Sequence, residues 1–111
     1  MTKRQLINYC LEHYDCILDY PFDEVTAVMK LTANQKMFAL IAERNESVYI
    51  NLKCNPDEAL ILRDQFGCIT EGYHMNKKHW NTVILDGDVP FELVQTMMDN
   101  SYDLVKPKTK K

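Results

Sequence analysis

The sequence predicts an α+β domain of two layers: one antiparallel five-stranded sheet with helices packed mainly on one face, in the order helix, three strands, helix, two strands, helix. Three observations carry this. Runs alternating with period two gather in the middle of the chain, runs with helical period stand at both ends and after Cys54, and the connections between the first three strands are too short for parallel crossovers. With 111 residues the chain has the length of a single domain. Residues 1–105 are expected to form it, with 106–111 as a basic C-terminal tail.

Thr2 opens the first helix, because its side-chain oxygen suits an orphan amide while Gln5, three residues on, reaches back. Leu6, Ile7, Cys10, Leu11 and Tyr14 then recur at helical spacing, which predicts a helix over 3–14. Asp15 to Glu24, acidic and interrupted by Pro21, reads as a loop. Three strands follow, Val25 to Leu31, Lys36 to Glu43 and Ser47 to Lys53. In the first, Val25, Ala27, Met29 and Leu31 share a face. The middle one is apolar on both faces, which suits a central strand or equally a buried helix, and its short flanking connections favour the strand; in the third Val48, Ile50 and Leu52 alternate with Tyr49, Asn51 and Lys53. Asn55-Pro56-Asp57-Glu58 starts the second helix with a cap, a first-turn proline and acids at the positive end. That helix should end at Gly67 and cover the sheet with Ala59, Leu60, Leu62 and Phe66. Cys68 to Glu71 and Thr82 to Asp86 are the remaining strands, with Asp86-Gly87-Asp88 as turn chemistry. The last helix begins near Pro90, carries Leu93, Val94, Met97, Met98, Tyr102 and Val105 as one stripe, and is stopped by Pro107.

Composition narrows the function. With 46% hydrophobic and 26% charged residues the chain has the apolar content to fold, which excludes a largely disordered protein. The N-terminus holds no apolar leader, and no stretch approaches a membrane span, so a cytoplasmic protein with reduced Cys10, Cys16, Cys54 and Cys68 is expected. Lys106 to Lys111 supply four lysines and no acid, leaving nine basic against sixteen acidic residues in 1–105, a formal charge of −7. An acidic body opposes non-specific binding to nucleic acid, which draws on lysine and arginine at phosphates.

No cofactor is expected. The three glycines Gly67, Gly72 and Gly87 form no phosphate cradle. Cys10, His13 and Cys16 have ligand chemistry but sweep around a helix rather than converge, so no metal is expected. Asp15, Asp19, Asp23 and Glu24 lack the order of a calcium loop. Neither Ser47 nor Ser101 stands in a nucleophile elbow, and Cys54 or Cys68 would need His74 or His79 beside it in space. The chain is therefore expected not to be an enzyme, although a pocket around His74 and His79 stays open as a third reading.

The most unusual stretch is Gly72-Tyr73-His74-Met75-Asn76-Lys77-Lys78-His79-Trp80-Asn81. Its cations and aromatic rings suit phosphate contact and base stacking, and Asn76 suits the cap of a short turn. Against that stands the tendency of a lone tryptophan to anchor a core. Together with Val83, Leu85-Asp86-Gly87, Ser101-Tyr102-Asp103-Leu104-Val105, Lys36-Met37-Phe38-Ala39 and Leu52-Lys53-Cys54, this stretch resembles the MmcQ/YjbR-like family of small bacterial proteins. One departure is Glu71, where the family often carries proline. The resemblance implies a fold similar to type III secretion chaperones and frataxin-like sheets, and a non-enzymatic DNA-binding protein contacting phosphates through the basic turn. Tyr73, His74, Asn76, Lys77, Lys78, His79 and Trp80 are the candidate residues. The alternative is a small protein-interaction or chaperone-like module using its sheet face, with residues such as Tyr49, or its edge. The expected partners are thus DNA or a protein, no membrane is involved, and a monomer is favoured.

Overall fold

The computed structural model of the chain describes residues 1–72, 75–85 and 89–107. Three helices lie on one face of a single antiparallel sheet, as expected, but the sheet has six strands. Helix α1 (Lys3–His13) starts at the predicted capping box, with Thr2 accepting from the Gln5 amide and Gln5 accepting from the Thr2 amide. The strand absent from the sequence reading is β1 (Cys16–Asp19). It lies inside the segment read as a loop, and its four residues are half-buried or exposed at the sheet edge, too short and too wet to show an alternation.

Strands β2 (Ala27–Leu31), β3 (Met37–Arg44) and β4 (Ser47–Lys53) form the expected meander. Val25 does not join β2, and its side chain is 62% exposed. Helix α2 (Pro56–Gln65) carries the chain across to β5 (Ile69–Glu71), which hairpins into β6 (Trp80–Ile84), and β6 pairs with β4 to give the order β1-β2-β3-β4-β6-β5. Helix α3 (Phe91–Val105) closes the described chain, and the expected turn at Asp86 to Asp88 lies outside the described residues.

Two rows of paired residues show how the sheet divides its faces. Ala27, Ile41, Ile50, Val83 and Ile69 are successive neighbours across five strands, and all are buried under the helices. Asp19, Val28, Leu40, Asn51, Thr82 and Thr70 form a row across all six strands. Helix α1 covers β1–β3, α3 covers β3 and β4, and α2 covers β5 and β6, all from the first face. Leu60 is a correction to the sequence reading, being 62% exposed. Helical geometry groups Ala59, Leu62, Arg63 and Phe66 at i, i+3, i+4 and i+7, and that face, not the one carrying Leu60, turns to the sheet.

Register shifts between Met29–Ala39 and Lys30–Met37, making Phe38 the extra residue of a β-bulge. The bulge sends Phe38 to the helix side, edge-on to Tyr14 at 5.1 Å and Tyr102 at 5.3 Å. Ser101 of α3 fastens the same place. Its hydroxyl donates to the Phe38 carbonyl at 2.5 Å and accepts from the Lys53 amide at 3.0 Å.

Asn45 and Glu46 join β3 to β4 with φ of 50° and 69°. A two-residue hairpin with both central residues in the left-handed region prefers glycine at the second, where a Cβ is strained. Glu46→Gly is expected to raise the unfolding free energy by about 1 kcal/mol in urea denaturation. An unchanged midpoint would refute this account of the turn.

Candidate functional site

The basic turn between β5 and β6 is held from below. Arg63 of α2 donates from Nε to Asn81 Oδ1 at 2.7 Å, from Nη2 to the Lys77 carbonyl, and reaches the Trp80 carbonyl at 3.4 Å. Asn81 is fully buried and donates back to the Ala59 carbonyl at 3.4 Å, so strand, turn and helix are joined through one polar pair. Asn76 caps the turn: its Oδ1 accepts from the Lys78 amide at 3.0 Å, and its carbonyl accepts from the His79 amide at 3.1 Å. Gly72 is required by close approach, since a Cβ there would stand 2.6 Å from Trp80 Cβ and 3.2 Å from Met75 Cβ.

The predicted residues separate into three groups. Asn76, Lys77 and Lys78 are exposed and His79 is half-buried; among the described residues neither lysine has an ion pair. Trp80 is 7% exposed and packs with Val28 and Leu40, so it is an anchor and offers no open ring face for stacking. Tyr73 and His74 lie outside the described residues. The backbones of Cys54 and His79 meet, with the Cys54 amide donating to the His79 carbonyl at 2.7 Å. Burial raises the Cys54 thiol, and it pushes Cys10 up to about 12 and Cys16 to about 11, which disfavours the nucleophilic thiolate at all three. Among the described residues no three histidine, cysteine or acidic side chains group to hold a metal.

A second site lies on the sheet face that the helices leave open. Leu40 and Ala42 of β3, Tyr49 and Asn51 of β4 and Thr82 of β6 line a hollow of about 320 Å³, bordered by Phe22, Asp23 and Thr26 of the β1–β2 connection, by Met75 of the basic turn and by Arg44. Its border is built by local chemistry. Asp23 Oδ1 accepts from the Val25 amide at 2.9 Å and the Thr26 amide at 2.6 Å, which bends the connection and holds the Asp23 carboxyl below the usual carboxylate range. Lys3 donates to the Val25 carbonyl and lies over the Tyr20 ring, tying the same connection to α1. Beside the hollow, Val28, Leu40 and Trp80 form a small apolar cluster with Met37 and Met75 against it, so the two candidate sites share a wall. Of this lining the sequence pointed to Tyr49 alone as a sheet-face site, with Asp23 read among the loop acids and Met75 within the basic stretch. Strand alternation placed Tyr49 and Asn51 on one face, but nothing in the chain signalled that Phe22 and Met75 would meet them there.

Comparison with known proteins places this architecture in company. Residues 11–104 match the YjbR family. The chain is 30% identical over 102 residues to the uncharacterized protein YjbR of Escherichia coli strain K12, covering 92% of this chain and 85% of that one. It is 34% identical over 88 residues to YbdF of Escherichia coli O157:H7, covering 79% and 70%. Among solved structures, a Pseudomonas syringae protein superposes with a TM-score of 0.85 at 29% identity, covering 96% of this chain and all of that one. Deinococcus radiodurans DR2400 gives 0.82 at 38% identity, covering 94% and 78%.

Proposed function

This chain belongs to the YjbR family over most of its length, and we propose that it is a non-enzymatic binding protein that takes its ligand or partner on the uncovered sheet face. The observation that carries this is the asymmetry of the two faces. One is filled by three helices, while the other holds a bordered hollow whose lining is mostly apolar with a few polar groups. No helix among the described residues is long and apolar enough to cross a membrane. The protonated thiols further support a role in binding rather than nucleophilic chemistry. The test is an NMR screen of the full chain against a mixed library of small molecules and short peptides. Hits should move resonances of Leu40, Ala42, Tyr49 and Asn51 together; hits confined to the helix side, or none, would overturn the reading.

DNA binding through the basic turn is the second reading, favoured by Lys77 and Lys78 standing exposed where Arg63 and Asn76 hydrogen-bond the turn backbone. If four phosphates are neutralised, log affinity should fall against log salt with a slope of about −3.6. Replacing Lys77 and Lys78 together by alanine should reduce the steepness by about 1.8 in a fluorescence-anisotropy titration. A salt-independent signal, or one unchanged in the variant, removes the turn from the interface.

A further inference from the structure

We infer that the hollow on the open sheet face binds a neutral, planar aromatic molecule that carries a carbonyl acceptor. This rests on the sheet-face reading above and names its ligand class. Size comes first: about 320 Å³ lies at the lower end of pockets that enclose small organic molecules. Hydrogen bonding then separates such a molecule from an extended peptide. The backbones of β3, β4 and β6 under the hollow are engaged in their ladders, so an occupant of the face gains no main-chain bonds, whereas strand addition needs an edge. Affinity must come from side chains.

Those side chains favour a flat ring. Ala42, small and between larger neighbours, leaves depth over the floor, while Phe22 and Tyr49 offer aromatic faces or edges and Met75 a polarizable thioether. The polar requirement is equally specific. The Thr82 hydroxyl lies 2.6 Å from Asn51 Oδ1 and 3.1 Å from the Glu71 carbonyl; its one proton belongs to the shorter O–H···O contact, which leaves Nδ2 as the carboxamide's donor. Among the described residues nothing accepts from Asn51 Nδ2, and a ligand carbonyl supplies that acceptor. Charge completes the class. Asp23 and Arg44, of opposite sign, both border the hollow, so a net charge on the occupant gains little overall while losing its hydration, a cost that a neutral molecule avoids.

The test is a proton–nitrogen NMR titration of the full chain with naphthalene-2-carboxamide, run in parallel with naphthalene-2-carboxylate and cyclohexanecarboxamide. The carboxamide should give saturable shifts of the Ala42 and Tyr49 backbone amides and the Asn51 side-chain amide, with the two comparison compounds weaker by roughly tenfold or more. Ala42→Leu, which fills the floor, should weaken binding by a similar factor. Tyr49→Ala removes a wall without adding bulk and should do the same, which keeps the test decisive where Ala42→Leu fails to fold. Shifts elsewhere, no shifts at the solubility limit, or equal binding of the carboxylate would each overturn the ligand class. If naphthalene-2-carboxamide is silent while other library members move the same residues, the ligand class falls and the sheet-face reading stands; if nothing moves them, both fall.

Discussion

Ser101→Ala is expected to lower the unfolding free energy by about 2–4 kcal/mol, because it orphans two backbone groups at once. The Phe38 carbonyl and the Lys53 amide lie one residue beyond Ala39–Leu52, the last pair of the β3–β4 ladder. Both are satisfied by the one hydroxyl, which is itself fully buried. Urea denaturation of Ser101→Ala beside the exposed neighbour Asn100→Ala checks the account. The neighbour should move by no more than about 0.5 kcal/mol, and a Ser101→Ala loss of that size would show that water replaces the hydroxyl.

Gly72→Ala carries the second large effect, an expected loss of about 1–3 kcal/mol from overpacking. The new methyl would meet Trp80 Cβ at 2.6 Å and the Trp80 carbonyl oxygen at 3.0 Å, and neither is the far end of a flexible side chain. Relief requires backbone movement, which breaks the bond from the Gly72 amide to the Trp80 carbonyl at 2.9 Å. Trp80 is the sole tryptophan, so its emission reports the change directly. A red shift is expected as its surroundings become wetter, and an unshifted spectrum with unchanged stability would contradict the packing described.

Features written within one element were legible in the sequence. The Thr2–Gln5 box, the Asn55-Pro56 start, the alternation of β4 and the stripe of α3 all depend on neighbours a few residues apart, and each stands in the structure. What escaped depends on residues far apart in the chain. Arg63 and Asn81 are separated by 18 positions and look like a surface cation and a weak strand former until α2 lies over β6. A buried asparagine amid the apolar residues of β6 was the available signal. Leu60 misled because α2 is apolar on more than one side, and β1 because four residues between acids carry too little pattern. The basic turn was visible as composition, yet the burial of Trp80 against Val28 and Leu40 is a tertiary fact.

The two margins of the sheet bear on how the protein behaves in concentrated solution. Strand β1 leaves one side unpaired, with Ile17 and Leu18 each 38% exposed, which would ordinarily template stacking of further copies. It is only four residues long, Asp15 precedes it, Asp19 ends it and Pro21 follows. Copies meeting along this seam would bring their Asp15 carboxylates together and would crowd the Asp19–Lys30 ion pair, 2.7 Å long, of each chain. The opposite margin, β5, has three residues and ends in Glu71. Short edge strands with acids at their ends therefore disfavour edge-to-edge pairing of copies, and added salt weakens the charged part of that barrier.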